Sequence, residues 1–372
     1  MILCSLRLSV ILFLALFSIS LHAQENINWQ DTNQQILEQH ILPRYQQLAQ
    51  ASMQLHQRIV ADTQSCVGVK PDTVKTWQQD FNQLFKSWAA IQHIRFGPIA
   101  YLDRYERFHY WPDKHNRGNR QLQQLLAQDN SSLTLAQLQS KSVAIQGIGA
   151  LEKLLLMDFS KEGLVTGTST VCDLILLITE NLQQIAVKNA QAWVDSPVEF
   201  AKEFSSAGKS GSIFGSKAEI AKKLLGDMRT QIAVVESLKL GRAFAIIDEK
   251  NTIETRIKPK RLEAWRSRQS RELISINIAA IQELYSLGFA PHVKTKSNTL
   301  HQQIQTSFQQ IKSALQAFDK PLYDELVESK EAKSNVQMMD LINDVKVLYQ
   351  QLGNELPKLL GLTISFNALD GD

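Results

Sequence analysis

Apolar residues along this chain recur every three or four positions, the spacing that puts them on one side of an α-helix. Leu37, Ile41, Tyr45, Leu48, Ser52, Leu55 and Ile59 form one such stripe, which predicts a long amphipathic helix. Pro43 falls inside it, so the helix is expected to start there or to kink. Pro71 and Asp72 mark the start of a second helix. Its apolar face carries Trp77, Phe81, Leu84, Phe85 and Trp88, and Gly97 and Pro98 end it. A third helix is expected from Thr134 to Met157. A fourth follows Thr168, with Val171, Leu174, Ile175, Ile178, Leu182 and Ile185 inside. Ser205 to Ser216, SSAGKSGSIFGS, reads as a Gly/Ser linker. Beyond it the same period predicts helices over 217–238, 260–287, 297–318 and 334–355. No run alternates with a period of two, so no substantial sheet is expected.

The pattern gives an all-α fold class. Two related antiparallel bundles of about four long helices each are expected over 24–204 and 217–372, joined by the 205–216 linker. A Trp/Arg-bearing second helix in each half (Trp88 with Arg95, Trp265 with Arg266) is the sign of relatedness. The C-terminal stretch LTISFNALDGD, after Pro357 and Gly361, is too apolar at Ile364, Phe366 and Leu369 for a tail left in water. It is expected to dock on the body and bring Asp370 with it.

Residues 1–23 read as a signal peptide: Arg7 precedes an apolar run from Leu8 to Phe17, and small residues lead to a cleavage point after Ala23. No other window is expected to cross a bilayer, so the mature protein is expected in the periplasm. Arg7 leaves with the leader and lowers the formal charge from +3 to +2, too close to neutral to argue for nucleic acid. Cys66 and Cys172 remain, and export allows a disulfide between them, with two buried thiols as the alternative.

Chemistry concentrates in two stretches. Arg95 to Asn119 carries the aromatic run Phe108, His109, Tyr110, Trp111, then Pro112, Asp113 and Lys114; it is either a packed plug or the wall of a site. Gln146 to Leu156, QGIGALEKLLL, places two glycines in a predicted helix, each costing about 1 kcal/mol relative to alanine. That cost points to close approach by a neighbour. Glu152 shares a face with Gly149; beside an apolar run it must be paired, hydrated or bound to a cation, with Arg95, Arg104 and Arg107 as available partners. There is no H-E-x-x-H, no G-x-S-x-G elbow and no phosphate-binding glycine loop. Glu106 and His109 form one E-x-x-H, where a di-iron bundle needs two; they read as a surface or interface pair.

These stretches, together with KLGR at Lys239 to Arg242, EAWRSRQS at Glu263 to Ser270 and the terminal SFNALDGD, resemble the imelysin-like proteins, a family also named for an insulin-cleaving metallopeptidase. The family signature is G-x-H-x-x-E. Gly147 and Glu152 match its ends, while Gly149 stands at the histidine. The resemblance implies two helical bundles with a site between them, export, and a link to bacterial iron acquisition beside membrane iron-uptake components. It places in that cleft Glu152, Arg95, the Arg107 to Asp113 segment with Trp111, Gln146, Arg266, Ser270 and Asp370. It also implies an iron or other metal ion as the candidate cofactor, with Glu152 its candidate ligand. Without the histidine, the expectation is a non-catalytic binding protein for a small molecule, metal or peptide, with arginines favouring an anionic ligand. A zinc peptidase and a scaffold docking an iron-uptake component are the alternatives.

Overall fold

The structure, a computed structural model, describes residues 27–63, 69–128, 133–157, 170–249, 252–328 and 332–362. The leader, Cys66 and the tail with Asp370 lie outside these residues.

The first rod is longer than its apolar stripe. It opens as α1 (Trp29–Ile36), widens into a π turn at Leu37–Ile41 and continues as α2 (Leu42–Asp62). Pro43, in the first turn of α2, explains the widening: its ring would strike a carbonyl of a regular helix and it offers no N–H to the ladder. The same device recurs twice, with Pro291 after the π turn Tyr285–Phe289 and Pro357 after Gln351–Glu355. α3 (Pro71–Ile91) begins on its proline and buries Trp77, Phe81, Leu84, Phe85 and Trp88.

The predicted third helix is broken. Between α3 and it lie the short α4 (Arg104–Phe108) and α5 (Arg117–Leu126). The 134–157 stretch then divides into α6 (Leu135–Gln139), a 3-10 turn at Val143–Ile145 and α7 (Ile148–Leu155). Gly147 caps α7 rather than sitting inside a helix, and a Cβ there would collide with the carbonyls of Arg107 and Phe108. α8 (Thr170–Val194) packs beside α2, and α2 beside α3, as the first bundle.

The expected linker is a packed element. α9 (Lys202–Ser206) and the turns after it bury Phe204 and Phe214 in an aromatic cluster with Phe96, Trp193 and Phe200. α10 (Lys217–Ala233) follows and ends in a π turn at Val234–Leu240. One hairpin interrupts the helices: β1 (Phe244–Glu249) pairs antiparallel with β2 (Thr252–Ile257), Phe244 opposite Ile257. The helix expected over 260–287 starts only at Ser270, as α11 (Ser270–Leu284). The preceding turns hold Ala264 and Arg268 at φ 53° and 58°, left-handed values that no helix contains, so Trp265 and Arg266 are not on a helix. α12 (Ala290–Lys296), α13 (Asn298–Gln316), α14 (Leu322–Glu328), α15 (Ala332–Gln350) and α16 (Leu356–Leu360) complete the second bundle.

Two stretches, Thr170–Val194 and Ser270–Lys296, are long and apolar enough to cross a membrane, contrary to the expectation that only the leader is. More than half of each apolar window is buried in the fold; they are core helices, apolar on most sides for that reason. Buried apolar residues of both bundles form one continuous cluster. α3 packs on α11 across the seam, where Asn277 Nδ2 donates to the Ala89 carbonyl at 2.6 Å. α1 reaches over to the second bundle: Trp29 meets Phe289 and His292, and Asn33 donates to the Lys217 carbonyl at 2.8 Å. Glycine at position 288 makes room for Ile36 there.

Candidate functional site

The seam opens into a cleft of about 510 Å³, within the size range of small-ligand sites. The first bundle supplies Phe85, the segment His109–Trp111 with Asp113, the start of α5, and Gly149, Ala150, Glu152 and Lys153 from α7. The second supplies Arg242, the run Lys260–Leu262, and Ala264, Trp265 and Arg266. The left-handed turn at Ala264 aims this last stretch at α7.

The lining is cationic. Among the described residues of the lining, Lys153, Arg242, Lys260, Arg261 and Arg266 stand against two carboxylates, Asp113 and Glu152. Neither carboxylate is idle. Asp113 accepts from the N–H of Arg117 at 2.8 Å and of Gly118 at 2.9 Å, which secures the first turn of α5. Glu152 Oε1 accepts from the Ser267 N–H at 3.1 Å and Oγ at 2.7 Å. Burial raises the Glu152 pKa, against the pull of the Ser267 hydrogen bonds and Arg266. Burial, then Arg266, pushes the Lys153 ammonium down to about 8; its Nζ donates to Asn119 Oδ1. Burial, then Arg261, lowers Arg242. Arg266 lies 4.3 Å over the Trp265 ring.

Beneath the cleft runs a buried polar chain. His109 Nε2 meets Glu263 Oε1 at 3.0 Å, and Lys239 Nζ donates to Glu263 Oε2 at 2.5 Å and to Asn277 Oδ1 at 2.7 Å. Burial alone would raise the Glu263 carboxyl, but Lys239 and His109 together hold it down to about 2. His109 Nδ1 is buried and has no hydrogen-bond partner.

Of the residues expected in the cleft, Trp111, Asp113, Glu152 and Arg266 line it. Four others hold the walls together. Arg95 sits 4.7 Å from the Tyr105 ring centroid and gives its backbone N–H to Asp227 at 2.9 Å. Arg107 Nε donates to Gln146 Oε1 at 2.9 Å, and the Gln146 amide nitrogen donates to the carbonyls of Gln139 and Lys141. Ser270 Oγ donates to the Glu263 carbonyl at 2.5 Å. Asp370 lies outside the described residues. Glu106 and His109 do not act as a pair: Glu106 is exposed, while His109 is buried against Glu263. The conspicuous stretches FHYW, KLGR and EAWRS contained His109, Lys239, Arg242 and Glu263, but the individual roles had no local signal.

A bare cation does not fit this lining. Among the described residues no three of His, Cys, Asp and Glu come together as a metal site. Position 149, where the family signature has histidine, has room for a side chain: a Cβ there would make only an ordinary van der Waals contact, with the Tyr110 carbonyl oxygen 3.9 Å away.

The comparisons with known proteins agree with this architecture. The imelysin family, peptidase family M75, matches over residues 41–352. An imelysin-like protein from Psychrobacter arcticum 273-4 superposes with a TM-score of 0.63 at 17% identity, covering 91% of this chain and 98% of that one. A protein from Parabacteroides distasonis ATCC 8503, assigned as an iron-regulated protein A precursor, superposes with a TM-score of 0.66 at 13% identity, covering 87% and 95%. At those identities the likeness is one of fold. No curated protein matches the chain. By the extent of the family match and the two-bundle fold, this chain belongs to the imelysin family.

Proposed function

We propose that this protein is an exported, non-catalytic binding component of bacterial iron acquisition that takes an anionic ligand, such as a metal chelate, in its seam cleft. The observation that carries the reading is the lining: five cationic side chains, with both carboxylates already engaged by backbone or serine donors. Arginine and lysine in a half-enclosed cleft favour carboxylate or phosphate oxygens. The link to iron is supported by the fold shared with the iron-regulated protein A precursor, and export by the leader-like start of the chain. Among the described residues no three-ligand metal set supports the alternative peptidase reading.

Calorimetry on the purified protein tests this. Ferric chelates of negative charge are expected to bind stoichiometrically, free ferric or zinc ions are not, and Arg266→Ala is expected to weaken the chelate at least tenfold. Absence of any anion or chelate binding by the wild type sinks the reading. Export also supports a Cys66–Cys172 disulfide. Cys172 is buried at the start of α8, and thiol titration of the oxidised, denatured protein is expected to find neither sulfhydryl; two would refute the bridge.

A further inference from the structure

We infer that the cleft is built for an organic anion with two separated anionic groups, one seated on Arg242 and Arg261 and the other on Lys153 and Arg266. This rests on the anion reading above and narrows it to ligands with a charge at each end.

The cations of the lining fall into two pairs. Arg242 and Arg261 flank the β1–β2 hairpin, whose base is closed by the Lys258 N–H donating to the Ala243 carbonyl at 2.7 Å. Arg261 is the cation whose charge acts on Arg242. Lys153 comes from α7, and Arg266 from the turn after Ala264. Arg266 is the cation whose charge acts on Lys153. The first pair thus belongs to the second bundle, and the second pair spans the seam. Each sets like charges near one another, an unfavourable arrangement that an anionic group on the pair relieves.

Little in the free protein neutralises them. Among the described residues, the side chains of Arg242, Arg261 and Arg266 make no hydrogen bond or ion pair. Lys153 donates to a neutral amide, that of Asn119. Arg242 and Arg266 are half-buried, and a charge drawn out of water calls for a partner. Arg266 is placed beforehand by its contact with Trp265, which in turn stacks on Tyr323 with centroids 5.4 Å apart. Asp113 acts on both Arg242 and Lys153, but its oxygens already serve the N–H groups of Arg117 and Gly118. One carboxylate cannot satisfy four cations, and it repels a compact anion lying between the pairs. A ligand with its charges at two ends avoids this, setting one end on each pair and an uncharged spacer between. Tying the second group to the first also makes its binding intramolecular, which raises affinity only when the spacer matches the span.

Calorimetry with propionate, then with malonate, succinate, glutarate and adipate, tests this. Ethylphosphonate and the matching bisphosphonates distinguish carboxylate from phosphoryl oxygens. In the wild type, one spacer length in at least one series is expected to bind tenfold or more tightly than the one-headed anion of that class. Arg242→Gln, and independently Arg266→Gln, are expected to remove that gain while leaving the one-headed anion within a factor of three, since the other pair still takes it. Thermal melts confirm that the variants fold, and the wild-type series stands without them. No gain at any spacer length overturns the inference but leaves the anion reading standing, as does a gain that survives both substitutions. Binding of no acid, no phosphonate and no anionic ferric chelate overturns both.

Discussion

Among the described residues two histidine–carboxylate clusters cross the seam, and they use similar parts differently. At one, His40 and His93 set their Nε2 atoms 2.8 Å apart, while Glu283 takes His40 Nδ1 at 3.3 Å and a forked pair of bonds from Arg44. At the other, His109 joins Glu263 and Lys239. Both leave one imidazole nitrogen without a partner, on His93 and on His109. The first cluster seals both rings completely yet leaves its Glu283 side chain 42% exposed. The second buries its ion pair almost entirely and turns its ring to a cleft. The two clusters thus differ in what lies beside the carboxylate–histidine pair: solvent at Glu283, the cleft lining at His109.

The contrast is sharpest in the ion pairs. Lys239→Met strips the buried Glu263 of its cation and is expected to cost about 3–5 kcal/mol in denaturant unfolding. Arg44→Met removes the partner of a half-exposed carboxylate and is expected to cost about 1 kcal/mol or less. Equal losses would break the distinction. The glycines of the signature region form a second contrast. Gly147→Ala drives a methyl into the Arg107 and Phe108 carbonyls and is expected to cost about 1–3 kcal/mol. Gly149→Ala meets only the Tyr110 carbonyl oxygen at an ordinary 3.9 Å and is expected to stabilise by up to about 1 kcal/mol.

Acid separates the clusters by range. Burial lowers both His40 and His93 below the usual 6.5, so the unfolded chain takes up their protons first. The stability they contribute is present above pH 6.5 and declines as pH falls below it. The Glu263 contribution holds above the ordinary carboxylate value of 4.5 and is lost as pH falls toward about 2. Unfolding free energy measured from pH 8 to 3 is expected to decline in two stages, and His93→Gln to flatten the upper one. The smallest effect lies on the alkaline side. As pH rises through about 8, Lys153 loses its charge. Anion affinity is expected to fall severalfold between pH 7 and 9, and Lys153→Met to remove that slope.

Much of the fold was legible because it rests on period. α3 and α8 match their apolar stripes, since burial and periodicity there are the same fact. What periodicity misreads is sequence whose helix-like composition is overruled by a few backbone positions. Residues 260–269 read as helix, but left-handed turns at Ala264 and Arg268 break it. The aromatic residues in 205–216 bury a stretch whose glycines read as a linker. Glu152, Trp111, Asp113 and Arg266 were assigned to the cleft by the family resemblance, and all four line it. Arg95, Arg107 and Gln146 shared that assignment but turn into the walls, and nothing in the chain announces which way such a side chain faces. The partnership of His109 with Glu263 spans 154 positions, a distance no local pattern encodes.

The first rod has a consequence for any attempt to divide the molecule. Trp29–Ile36 lies against Phe289, His292 and Lys217, while Leu42–Asp62 lies against α3 and α8. One end of a single helix is thus mortised into each half, like a tenon cut from the wrong plank. A fragment beginning at 217 would lack the piece that covers Phe289, and a fragment ending at 216 would carry that piece with nothing to cover. Neither is expected to be soluble alone, and mixing them is expected to restore the native circular dichroism.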